Sequence, residues 1–128
     1  MDLTIRTTEY GVDTKRWVGS QHGYPAPAPS IALVSDLFTT AFPDGHVPSG
    51  VALGKVTATG RYGPYASAAT DGRQTMVGFL ADLVTIRAGA IVGAALYEHG
   101  PVVEAFLPTN HGLTAAGKTS VSGRIWFR

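Results

Sequence analysis

The residues best suited to chemistry in this 128-residue chain are four histidines and a pair of glutamates. His22, His46, His99 and His111 are separated by 24, 53 and 12 positions. None falls into a His-x-x-x-His or His-Glu-x-x-His arrangement, the spacing that puts two zinc ligands on one helical face. There is no cysteine, so thiolate sites and disulfides are excluded. Each histidine lies beside a glycine, which reads as a surface loop position. Glu98 and Glu104 flank Gly100-Pro101, and a hairpin there would bring them near each other. Acid–base work by two carboxylates needs a pocket that pushes one pKa away from the other, and nothing around this pair encodes one. Glu98, His99 and Glu104 are the nucleus a small hydrolase would have to use. Glu104, set among apolar neighbours, reads instead as one half of an ion pair, within the chain or across subunits.

No serine lies in a Gly-x-Ser-x-Gly elbow, and Gly60-Arg61-Tyr62-Gly63 is too short for a phosphate-cradling loop. The residues therefore point away from an enzyme, with no metal and no cofactor expected. A formal charge of +1 and the lack of clustered lysine and arginine argue against nucleic acid as a direct partner. One tyrosine beside one arginine, at Arg61-Tyr62, is a weak stacking platform for single strands. The longest apolar run, Ala90–Tyr97, is far shorter than the roughly 20 residues that cross a bilayer. Met1–Arg6 lacks the basic and apolar regions of a secretion signal. A soluble protein made in the cytoplasm, with no membrane partner, is the expectation.

The elements that would position any site are mostly short strands between glycine turns. Val51–Thr57 alternates with apolar residues on both faces, as in a small closed or stacked sheet. Gly60 and Gly63-Pro64 suggest a hairpin over Val56–Tyr65, and Asp71-Gly72 a second tight turn. Strands are predicted over Thr75–Ala81, Ala90–Tyr97, Val102–Leu107 and Thr119–Arg128, with Leu83–Arg87 either continuing the first of them or beginning the next. Gly89 and Gly100-Pro101 are read as turns. Short helical turns are predicted in Ser30–Phe42, with Leu37, Phe38, Ala41 and Phe42 as its apolar face, and in Asn110–Lys118. The fold class is mainly β with one or two short helices (α+β), a small barrel or sandwich.

Residues 1–30 differ from this compact domain of residues 31–128. Leu3, Ile5 and Thr7 alternate briefly, and the segment ends in Tyr24-Pro25-Ala26-Pro27-Ala28-Pro29, which favours extended geometry. It reads either as a disordered leader or as an arm that orders against another protein by adding a strand to a sheet edge. Trp17, Val18 and Tyr24 lean toward the second, because a solvated tail gains nothing from large apolar side chains.

The central residues carry a resemblance. Val51-Ala52-Leu53-Gly54-Lys55-Val56-Thr57, then Gly60-Arg61-Tyr62-Gly63-Pro64-Tyr65, then Ala69-Thr70-Asp71-Gly72-Arg73-Gln74-Thr75-Met76-Val77-Gly78-Phe79-Leu80 resemble, in order and spacing, the head decoration proteins of tailed bacteriophages. Pro101–Ala105 and Gly123–Arg128 resemble later strands of that family, so the similarity spans about Pro48 to Arg128. The long proline-rich leader and the brief span between Phe106 and Val121 depart from it. The resemblance implies a β-barrel-like (β-tulip) core and trimers on the outer surface of the expanded head. It also implies an N-terminal arm that joins the major capsid protein and cements the shell against packaged DNA. Leu3, Ile5, Trp17, Val18 and Tyr24 are the expected capsid contacts. Tyr62, Tyr65, Phe106 and Trp126 are the expected trimer interface, chosen as exposed aromatic surface. Removal of residues 1–24 is expected to abolish shell binding and leave the core folded. A carbohydrate- or host-binding surface module is the rival reading.

Overall fold

Strands with apolar residues on both faces must be covered on both sides, and this chain meets that demand with a barrel and a second layer packed outside it. The computed structural model describes residues 15–19 and 29–128. In chain order the strands are β1 (Ser30–Val34), β2 (His46–Val47), β3 (Ala52–Lys55), β4 (Tyr62–Pro64), β5 (Met76–Leu80), β6 (Val84–Thr85), β7 (Ile91–Tyr97), β8 (Gly100–Val102) and β9 (Ile125–Phe127). One helix, α1 (Ala115–Ser120), precedes β9, and 3-10 turns occupy Ser35–Leu37 and Glu104–Phe106.

Five strands close a barrel in the order β1-β4-β3-β5-β7, while β2 pairs with β6 and β8 with β9. The β3–β4 hairpin is antiparallel with Gly54 opposite Gly63, and β1 closes the barrel by running antiparallel to β7 and parallel to β4. Alternate residues of the central strands then serve two cores. Leu33, Leu53, Leu80 and Leu96 converge inside the barrel with Phe38 and Val47. Ala52, Phe79 and Tyr97 face the other way, onto Trp17, Val102, Val121 and Ile125. This double burial is why neither face of β3 or β5 is polar. The mainly β, small-barrel reading holds.

Two glycines of the central sequence block are required by geometry. Gly78 on β5 sits where β5 and β7 cross closely, and a Cβ there would run into the Tyr97 carbonyl oxygen. Gly72 has φ +115°, and a Cβ there would strike the Lys55 carbonyl oxygen. The Asp71-Gly72-Arg73 turn thus folds flat onto the hairpin, with Thr57 N donating to Asp71 O at 3.0 Å.

Three local expectations are corrected. Ser30–Val34 is a strand rather than part of a helical turn, because barrel closure needs a strand between β4 and β7; helical geometry is confined to Ser35–Leu37. The predicted apolar face still forms, with Phe38 and Phe42 buried and Leu37 and Ala41 packed against the same core. Gly100-Pro101 lies within β8, and the predicted strand over Val102–Leu107 ends at Val102, where the chain turns into Glu104–Phe106. The final strand shrinks to Ile125–Phe127, because α1 and a turn at Gly123 (φ +86°) take its first half. α1 begins where Thr114 Oγ1 accepts the Gly117 N–H at 3.1 Å.

Candidate functional site

The chemical candidates separate when the chain folds. Because β8 pairs in parallel with β9, no hairpin sets Glu98 against Glu104. Glu104 accepts from Lys118 Nζ at 2.7 Å, an ion pair inside the chain with both side chains more than a third exposed. His111 Nδ1 accepts the Leu113 N–H at 2.9 Å and shapes a loop. His99 stacks edge-on against Trp126, with ring centroids 5.7 Å apart. Among the described residues there is no group of three or more histidine, aspartate or glutamate side chains able to hold a metal ion. Nor does any helix among them have the length and apolarity to cross a membrane. His22 lies outside the described residues.

The electrostatics that are perturbed serve the scaffold. Asp71 is held below the usual carboxylate range by hydrogen bonds from the Arg73 backbone N–H and side chain, with Arg73 Nε 3.0 Å from Oδ2. Burial pushes the Tyr97 hydroxyl up to about 12, and that hydroxyl donates to Pro101 O at 2.8 Å. Both groups pin β-structure together: Asp71 fixes the turn on the hairpin, and Tyr97 ties β7 to β8.

After a turn in which Val18 N donates to Lys15 O at 3.1 Å, Trp17–Gly19 lies along β8: Val18 bridges Val102 antiparallel, Gly19 N donates to Pro101 O at 3.0 Å, and Val103 N donates to Trp17 O at 2.6 Å. This adds a third strand-like segment beside β8 and β9. Trp17 is 2% exposed, with its ring 5.0 Å from that of Tyr97 and 5.7 Å from that of Phe79. The expectation of exposed aromatic surface at Trp17 is therefore corrected, since its ring is spent on this chain's own core. Val18 is half-buried beside it. Tyr65 is corrected likewise: it is 5% exposed, packs near Gly117, and its hydroxyl shares a 3.0 Å hydrogen bond with Thr114 Oγ1.

Phe106 (46% exposed) and Trp126 (41%) do present aromatic surface. Both belong to the layer outside the barrel, Trp126 on β9 and Phe106 on the turn after β8. Each is braced by a polar neighbour, Trp126 by His99 and Phe106 by the Arg16 guanidinium, which stacks 4.2 Å from its ring centroid. Tyr62 stands apart on β4, half-buried against the barrel core. Leu3, Ile5 and Tyr24 lie outside the described residues. Arg16 was missed in the sequence, because only the turn that Val18 N closes onto Lys15 O at 3.1 Å leaves Arg16 exposed while Trp17 is buried.

Among the described residues the motif positions of the central block hold turns, Gly72 by its positive φ and Asp71 by its bonds from Arg73. No curated protein and no solved structure matches the chain. The family described as bacteriophage lambda head decoration protein D matches residues 41–122, a span from just before β2 through α1. That match covers more than half of the chain and includes every turn of the central block, so this protein belongs to the bacteriophage head decoration protein family.

Proposed function

We propose that the protein is a structural component of the virion, which binds the outer surface of the expanded phage head as a homotrimer and stabilises it against the pressure of packaged DNA. The observation that carries this reading is the family match over residues 41–122. Its partners are the major capsid protein and further copies of itself. No chemical step is involved: each contact gains by burying apolar surface, and about 1,600 Å² per interface suffices for stable association. Repetition about a threefold axis multiplies the effect. Phe106 and Trp126 are the trimer-interface residues carried forward, with Tyr62 as a weaker member. Leu3, Ile5, Val18 and Tyr24 are carried forward as capsid contacts.

Trp17 leaves that set because its burial commits it elsewhere, and the truncation that tests the arm changes with it. Removing residues 1–24 would strip Trp17 from the core and confound folding with binding. Removing residues 1–14 leaves Lys15–Gly19 in place. The test is co-sedimentation of the full chain and of the chain lacking residues 1–14 with expanded and unexpanded heads. Pelleting of the full chain with expanded heads alone, lost on truncation, is the expected result. Failure of the full chain to pellet with expanded heads would overturn the reading.

A further inference from the structure

We propose that Asp44–Gly45 is a site of spontaneous isoaspartate formation, and that the same reaction at Asp71–Gly72 is held back by Arg73 and Gln74. This chemistry needs no partner and stands apart from what the protein does on a shell.

The sequence holds two Asp-Gly dipeptides, at Asp44 and Asp71. Glycine after aspartate favours the reaction, because no Cβ hinders approach to its amide nitrogen. That nitrogen attacks the aspartate Cγ, the Cγ–OH bond breaks, and the hydroxyl leaves with the amide proton as water. A five-membered succinimide results. Water then opens the ring at either carbonyl. Opening at the former backbone carbonyl routes the chain through the side chain and lengthens it by one methylene, and the water lost is regained. Three conditions favour the first step: a neutral carboxyl, an unengaged amide N–H, and a backbone free to bring that nitrogen onto Cγ.

Asp71 fails all three. Its Oδ1 accepts from Arg73 N at 3.1 Å, and Arg73 Nε lies 3.2 Å from Oδ1 and 3.0 Å from Oδ2. The neutral carboxyl is a minor form at neutral pH, and the cation makes it rarer. Gly72 N donates to Gln74 Oε1 at 2.8 Å. The Asp71 carbonyl accepts from Thr57 N at 3.0 Å and from Thr57 Oγ1 at 3.1 Å, which fixes the backbone. Asp44 is exposed, and its Oδ1 accepts from His46 N at 3.2 Å. Among the described residues no lysine or arginine pairs with it. Gly45 N donates to Phe42 O at 3.1 Å, so the amide is engaged at both dipeptides. What separates them is the cation on the carboxylate and the grip of Thr57 on the carbonyl.

The added methylene at Asp44 falls directly before β2. Gly45 O accepts from Ile86 N at 2.8 Å, and His46 opens the β2–β6 pair opposite Thr85. Conversion there loosens that pair, whose Val47 and Val84 belong to the barrel core.

Peptide mapping by mass spectrometry, with isoaspartyl methyltransferase labelling as the probe, follows both dipeptides during warm storage of the full chain at neutral pH. Isoaspartate should build up about three- to tenfold faster at Asp44 than at Asp71. In the urea-unfolded chain the two rates should converge. Arg73→Gln and Gln74→Ala should each speed the reaction at Asp71 and leave Asp44 unchanged. Gln74 is exposed, so its variant reads the effect in a folded chain. Equal rates at the two sites in the folded chain, or an Asp71 rate that neither variant raises, would overturn the proposal. A difference that survives unfolding would assign it to the flanking sequence and defeat the structural reading.

Discussion

Trp17 donates its indole N–H to Ser49 Oγ at 2.9 Å, and both groups are buried. One hydrogen bond thus joins the segment before the proline run to the loop ahead of β3, and it satisfies the polar atom that so large a ring brings into a core. Trp17→Ala should cost about 3–5 kcal/mol, because it opens a cavity against Phe79 and Tyr97. Trp17→Phe should cost less, keeping part of the volume but leaving the Ser49 hydroxyl without the indole. Urea unfolding midpoints of the two variants and of the chain lacking residues 1–14 would show it, with the truncation close to the full-length value.

Gly78 and Gly93 make a paired test of close approach. Gly78→Ala forces a methyl into the Tyr97 carbonyl across the β5–β7 crossing and should destabilise by about 1–3 kcal/mol or more. A Cβ at Gly93 meets nothing within 4 Å, so Gly93→Ala should stay within about 0.5 kcal/mol. Similar losses for both would show that the crossing is not as tight as described.

Tyr97 links stability to alkaline pH. Its folded-state value of about 12 lies above the ordinary 10.0, so the unfolded chain releases this proton first. Its contribution is complete below pH 10 and is lost as pH climbs toward 12, a total of about 2–3 kcal/mol. Tyr97→Phe gives up the bond to Pro101 O, yet its stability should fall less steeply over the same window. Unfolding curves at stepped pH, with tyrosinate absorbance followed in parallel, provide the comparison.

Phe106 and Trp126 should matter for association and little for folding. Phe106→Glu and Trp126→Glu place charge on side chains already 46% and 41% exposed, so unfolding midpoints should shift by less than about 1 kcal/mol. Sedimentation equilibrium and shell binding should both weaken, because a charge buried in an apolar contact is costly. Unchanged mass and unchanged shell binding would remove both residues from the interface.

The hairpin at Val56–Tyr65, the Asp71-Gly72 turn and the strands around Phe79 and Leu96 were legible because they rest on short-range chemistry. Positive-φ glycines and period-two alternation act over a few residues, and both survive in any fold that uses them. The family resemblance was legible for the same reason: its most specific residues are the ones that hold turns. β1 was misread because Ser30–Val34 borders a run with helical spacing, and only the vacancy between β4 and β7 makes it a strand. Glu104 was legible as an ion-pair partner, but its partner Lys118 was not, since their meeting depends on how α1 packs near the turn after β8.

By itself the chain dictated a cysteine-free, turn-rich β domain, since composition and local backbone preference suffice for that. Which aromatic rings point outward was decided only by tertiary packing. Trp17 and Tyr65 are as large and apolar as Trp126 and Phe106, and nothing in their local sequence separates the two pairs. The second core outside the barrel had room for the first pair and left the other at the surface.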